Sequence, residues 1–302
     1  MRYFRLVTID EGVRLAVETE QNVLTDLTSL DEDLTDIKDL ANAASLSGTS
    51  IDEITRRILD TGEWDNYDLD AIIVESTEGM GEIVFDRPFD PPEVWAAGVT
   101  YKSSEMERRR ESDTPDVYSK VYSAQRPELF FKATADRCVG PYESVGIRAD
   151  STWSVPEPEL AMVLFKGQII GYTIGNDMSS RSIEGENPLY LPQAKMYDRS
   201  CAIGPCFVSA DSIEDPQNLR VTCVITRDGD EVFSGVTSTA EMARTCEELA
   251  DWLYRHNRVP NMTTVLTGTA IVPPPNFTLQ EEDVVTITIE GIGVLENNVI
   301  VV

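Results

Sequence analysis

Three features of this 302-residue chain predict an α+β fold: a mixed strand and helix pattern over residues 1–86, a proline cluster after it, and a predominance of short apolar strand-like runs from there to the end. The expected organisation is a small N-terminal α/β domain, residues 1–86, and a larger strand-dominated domain, residues 87–302. In order along the chain, strands over residues 3–9 and 13–17 flank the turn Asp10-Glu11-Gly12, a hairpin signal. Acidic stretches at 31–44 and 51–59 carry apolar residues at helical spacing, and Ser50 with Glu53 three residues on reads as a capping box. Pro88, Pro91 and Pro92 close the first unit, in which nothing suggests chemistry. A strand is expected over 95–99. Residues 102–122 are charge-rich and read either as a solvated helix or as a lid that closes over substrate. Further strands are expected over 219–227, 231–234 after Asp228-Gly229-Asp230, and 284–289, with a helix over 239–255. No internal repeat is visible.

The densest chemistry lies between residues 157 and 195. Glu157 and Glu159 stand at i and i+2, so on a strand their side chains share one face, about 7 Å apart at Cα. Asp177 ends the next apolar run. Three such carboxylates suit one hard divalent cation, magnesium best, with manganese not separated from it by the ligand set. Spacing alone is weak: at this acidic composition about nine acid-x-acid pairs arise by chance. The flanks carry more weight. Leu160-Ala161-Met162-Val163-Leu164 is continuously apolar, so these acids open a strand that becomes buried, and buried carboxylates need partners.

Lysine usage sharpens the search, because the chain has 6 lysines against 19 arginines. A lysine kept in such a chain is suited to what arginine cannot do, namely lose a proton. Lys102 and Lys120 read as exposed charges, whereas Lys132 (in Phe130-Phe131-Lys132-Ala133) and Lys195 (after Leu191-Pro192-Gln193-Ala194) have apolar or constrained neighbours and read as functional.

The segments E-P-E-L, G-Y-T-I-G-N-D-M-S-S-R, Y-L-P-Q-A-K and T-G-T, spread over residues 88–302, resemble the fumarylacetoacetate hydrolase superfamily. The resemblance implies a mixed β-roll, often a homodimer or homotetramer. It implies Glu157, Glu159 and Asp177 as magnesium ligands, Lys195 beside metal and substrate, and a 2-keto acid chelated by the metal. R-P-E-L-F-F-K-A-T, R-C-V-G, E-N-P-L-Y-L-P-Q-A-K and T-G-T-A-I-V-P point within it to the branch that dehydrates 2-keto-3-deoxy sugar acids. Hydrolases of the superfamily carry a histidine in a segment matching residues 98–107, and Ser104 stands there instead. Without it, water activation for C–C hydrolysis is weakened, while dehydration needs no activated water. The expected reaction is therefore magnesium-dependent conversion of a 2-keto-3-deoxy-pentonate to 2,5-dioxopentanoate. Glu128 is the candidate general acid/base, or else an ion-pair partner of Arg126. Lys195 assists it, and Lys132, Gly268 and Thr269 contact substrate. Acylpyruvate hydrolysis, decarboxylation or isomerisation of a 2-keto diacid on the same scaffold, and a non-catalytic binding protein are the alternatives.

Composition bounds the rest. A net charge of −28 disfavours nucleic acid and anionic membrane partners, and with lysine depletion suggests adaptation to concentrated salt. Five cysteines without a C-x-x-C motif read as reduced buried thiols, and His256 as a surface or cap residue. No apolar run approaches the ~20 residues of a membrane helix, and the first residues do not resemble a signal peptide; a soluble cytoplasmic protein is expected.

Overall fold

A computed structural model describes residues 1–29, 31–79, 81–102 and 120–302. In chain order its strands are β1 (Arg2–Thr8), β2 (Gly12–Glu20), β3 (Val23–Asp26), β4 (Asn66–Asp68), β5 (Ile83–Phe85), β6 (Val94–Gly98), β7 (Glu128–Ala133), β8 (Cys138–Val139), β9 (Val145–Ile147) and β10 (Ser154–Val155). They continue as β11 (Pro158–Phe165), β12 (Gln168–Asp177), β13 (Ser179–Ser180), β14 (Cys201–Ser209), β15 (Arg220–Arg227), β16 (Asp230–Ser238), β17 (Thr263–Leu266), β18 (Val284–Ile289) and β19 (Gly293–Val301). The helices are α1 (Ile37–Ser47), α2 (Ile51–Leu59), α3 (Leu69–Glu78), α4 (Arg181–Glu186), α5 (Leu191–Lys195) and α6 (Cys246–Tyr254).

A 12-stranded mixed sheet runs β4-β3-β2-β1-β14-β12-β11-β17-β6-β7, with β5 on β1 and β8 on β14. A second sheet of five strands runs β16-β15-β18-β19-β9. Two-residue turns set two of the hairpins, the second of them expected from the sequence. Lys166-Gly167 joins β11 to β12 and Asp228-Gly229 joins β15 to β16, each pair with both φ values positive, as a two-residue hairpin turn requires.

The centre of the large sheet is covered on both faces, which explains its continuous apolar runs. Along β11, Leu160, Met162 and Leu164 enter one hydrophobic cluster while Ala161, Val163 and Phe165 enter the other. The first residues join this sheet directly: β1 pairs antiparallel with β14 at Arg2↔Val208 and Tyr3↔Phe207. Phe207 is locked there by the tilted ring of Tyr3 and the edge-on ring of Phe89, the latter from the proline-rich connection.

Several expected boundaries move for local reasons. The first helix starts at Ile37 instead of near 31, because Asp36 caps it by accepting from the Lys38 amide. The expected helix at 239–255 is a 3₁₀ turn, Thr239–Glu241, followed by α6, which Thr245 caps by accepting from the Glu248 amide. The helix α3, capped by Asp68 and ended by Gly79 in the left-handed region, is an addition to the expected elements. Among the described residues no helix is long and apolar enough to cross a membrane.

Candidate metal centre

The hairpin β11–β12 builds the centre. Its register pairs Glu159 with Gly175 and Pro158 with Asn176, so the mouths of the two strands meet and the Asp177 amide donates to the Glu157 carbonyl at 3.0 Å. Glu157 precedes β11 by one residue, Glu159 is its second residue, and Asp177 is the last of β12. All three are buried, and one carboxylate oxygen from each lies within 4.8 Å of the others. Among the described residues no other trio of His, Cys, Asp or Glu gathers in this way. Magnesium takes carboxylate oxygens at about 2.0–2.1 Å, so three carboxylates gathered this closely would suit one such cation.

Electrostatics support the fit. Burial holds the Glu159 carboxyl well above the usual carboxylate range, and the charges of Asp177 and Glu157 raise it further. Burial also pushes Asp177 up, but Lys132 and Lys195 outweigh it and hold that carboxyl below its usual value. A divalent cation relieves the repulsion that three buried carboxylates otherwise carry. The Gly268 amide donates to Glu159 Oε2, fixing that carboxylate from the opposite wall.

Lys195 ends the short helix α5, which begins with proline inside its first turn. Its Nζ donates to Glu157 Oε2 at 2.9 Å, Asp177 Oδ2 at 2.9 Å and Ser179 Oγ at 2.6 Å, and it lies 5.5 Å from the Phe130 ring centroid. Glu128, Phe130, Glu157, Asp177, Lys195, Gly268 and Thr269 all line one cavity. Glu128 is aligned with Gly98 across β6–β7, and a Cβ at Gly98 would lie 2.1 Å from Glu128 Oε2, so the missing side chain is what lets this carboxylate lie over its neighbour. Gly268 has φ +92°, and a Cβ there would meet Thr100 Oγ1 at 2.0 Å and the Ala97 carbonyl at 3.0 Å. Arg126, the other expected partner of Glu128, stacks over Trp252 at 4.6 Å.

Lys132, expected to contact substrate, is not among the residues lining the cavity: it is completely enclosed, with its Nζ 2.6 Å from Asp177 Oδ1 and donating to the carbonyls of Met178 and Lys195. Two lining residues went unnoticed in sequence, Arg181 and Glu184. Arg181 Nη2 lies 3.1 Å from Glu157 Oε1, and Glu184 sits one turn along α4. Arg181 closes the N-D-M-S-S-R segment, so its position was readable as part of a motif. Its role was not, because a motif-end arginine beside so many acids looks like a surface pair. Of the other residues singled out, Lys102 and Lys120 are exposed, as is His256, just past α6. All five cysteines are free and buried. Ser104 and most of the charge-rich stretch read as a lid lie outside the described residues.

This scaffold and site define a family. The model of the fumarylacetoacetate hydrolase C-terminal region matches residues 93–300, and the chain belongs to that family. A Haloferax volcanii protein described as "Probable 2-keto-3-deoxyxylonate dehydratase" is 48% identical over 99% of both chains. The 2-dehydro-3-deoxy-D-arabinonate dehydratase of Saccharolobus solfataricus is 48% identical over 72% of this chain and 74% of its own. Among solved structures, 2-keto-3-deoxy-D-arabinonate dehydratase complexed with magnesium and 2,5-dioxopentanoate superposes with a TM-score of 0.82, at 38% identity over 100% of this chain and 99% of that one.

Proposed function

We propose that this protein is a magnesium-dependent hydro-lyase that converts a 2-keto-3-deoxy-pentonate to 2,5-dioxopentanoate. The observation that carries the reading is the whole-length likeness to a dehydratase holding magnesium and that product, together with a buried three-carboxylate centre in this chain. Glu157, Glu159 and Asp177 would hold the metal, which when bound supplies Lewis acidity toward the C2 carbonyl and carboxylate of the substrate. The chain's own residues do the rest. A C3 proton and the C4 hydroxyl leave as water, forming a C3–C4 double bond. A proton then moves from C5 to C3, and the C4–C5 enol so formed passes its hydroxyl proton to C4 to give the aldehyde. Glu128, which lines the same cavity as Glu157 and Asp177, takes and returns these protons, a role worth ~10²–10⁴ in rate. Lys195 balances developing negative charge. Gly268 and Thr269 present the wall against which the substrate carboxylate lies.

The test is product formation. The protein with magnesium and racemic 2-keto-3-deoxy-pentonate is expected to yield 2,5-dioxopentanoate, with loss on chelation and in Glu157→Gln. Turnover of an acylpyruvate or a 2-keto diacid alone would keep the scaffold and overturn the substrate.

The finer readings go with this one. The division at 86/87 is supported by the family match beginning at residue 93, and by the proline-rich connection. Adaptation to concentrated salt is supported by the charge of −28 and by the Haloferax relative.

A further inference from the structure

The strand β7 carries Glu128, Phe130 and Lys132, and Lys132 falls at a register shift against β6, between Phe131 (opposite Trp95) and Ala133 (opposite Val94). Glu128 and Phe130 line the cavity, and Phe130 lies under the ammonium of Lys195. Lys132 is fully buried and is not among the lining residues. Its one ammonium meets three acceptors from two segments: Asp177 Oδ1 at 2.6 Å, the Met178 carbonyl at 2.8 Å, and the carbonyl of Lys195 itself. The Tyr197 ring centroid lies 5.8 Å from it and completes the enclosure. The strand thus grips Lys195 twice, by its ammonium through Phe130 and by its backbone through Lys132, while the same ammonium fixes one oxygen of a metal ligand.

We propose that Lys132 is a positioning residue for this reaction: it holds the metal ligand Asp177 and the catalytic Lys195 in one fixed register and makes no contact with substrate. This rests on the dehydratase reading for its kinetic arm, while its metal arm stands apart from it. Three acceptors converging on one atom suit a tetrahedral ammonium. The planar fork of arginine spreads its donors and needs space that this fully enclosed position lacks.

The test uses the full chain with Lys132→Met, Lys132→Arg and Lys132→Gln, the last keeping amide donors for the two carbonyls should the methionine variant fail to fold. Outer-shell partners of metal ligands typically matter by 10–100-fold. The folded variants are expected to show kcat lowered by about that factor, KM within about twofold, and magnesium affinity by calorimetry weakened by about tenfold or more. Arginine is expected not to restore either. A raised KM with unchanged kcat would make Lys132 a substrate contact and overturn the proposal. Unchanged kcat and magnesium affinity in a folded variant would overturn it equally. If the wild type dehydrates nothing, the function reading fails alone, and magnesium affinity still decides whether Lys132 positions the centre.

Discussion

Residue by residue, the centre is a balance of buried charges, and that balance has measurable consequences. Glu159 is held above the usual carboxylate range by burial and by its two acidic neighbours, so it keeps its proton to higher pH than an ordinary glutamate does. Magnesium requires the ionised form, so binding releases protons, and affinity rises with pH until this raised carboxyl is ionised in the metal-free protein. Calorimetry in buffers of different ionisation enthalpy checks this, and a pH-independent affinity would contradict it. Gly268→Ala places a methyl group against Thr100 and the Ala97 carbonyl at a φ of +92°. Its expected cost exceeds ~1 kcal/mol in urea melts, with lower magnesium affinity because the amide that holds Glu159 shifts. The acids were legible because an i, i+2 pair opening an apolar run has few bland explanations. Lysine scarcity was equally informative: Lys38, Lys102, Lys120 and Lys166 are exposed, whereas Lys132 and Lys195 are buried at the centre. Which of the two faces the cavity depends on strand pleat and depth, and neighbouring residue types do not encode that.

At the scale of elements, the junction between β1 and β14 holds the first strands onto the sheet that carries Asp177. Phe207 fills it, meeting Tyr3 and Phe89, and Gly171 leaves room for its ring, since a Cβ there would lie 2.3 Å from it. Phe207→Ala is expected to cost ~3–5 kcal/mol in denaturant unfolding. A loss below ~1 kcal/mol would mean that the junction contributes little. Capping is smaller in scale: Ser50→Ala, which removes the acceptor for the Glu53 amide, is expected to cost ~1 kcal/mol. Hairpins and caps were read correctly wherever two or three adjacent residues decide the backbone, as at Asp228-Gly229 and Ser50. The helix α3 escaped because its apolar residues give only a weak periodic stripe, and its stability comes from packing against β5 and β4.

For the whole molecule, charge outweighs every other compositional feature: 53 acidic residues stand against 25 basic ones. Folding concentrates this charge, and salt screens it, the screening length falling from about 10 Å at 0.1 M to about 3 Å at 1 M. The melting temperature is therefore expected to rise with potassium chloride over that range, and a flat or falling trend would contradict a salt-adapted surface. Magnesium adds a second increment through preferential binding to the folded state, about 2.7 kcal/mol at 100 times Kd, and Glu157→Gln is expected to abolish it.

The sequence by itself determined the strand-rich fold class, the metal ligands proposed here, the charged exterior and the lysine beside the acids. The fold class and the charge follow from local pattern and composition, and the ligand set with its lysine from the resemblance of their motifs to the family. Tertiary structure alone decided that the N-terminal strands share a sheet with the centre, that Gly98 and Gly268 clear space for Glu128 and the chain near Thr100, and that Lys132 is fully buried while Arg181 and Glu184 line the cavity. Those outcomes depend on contacts between segments far apart in the chain, and the spacing of residues along a sequence does not specify which distant backbone will arrive to meet them.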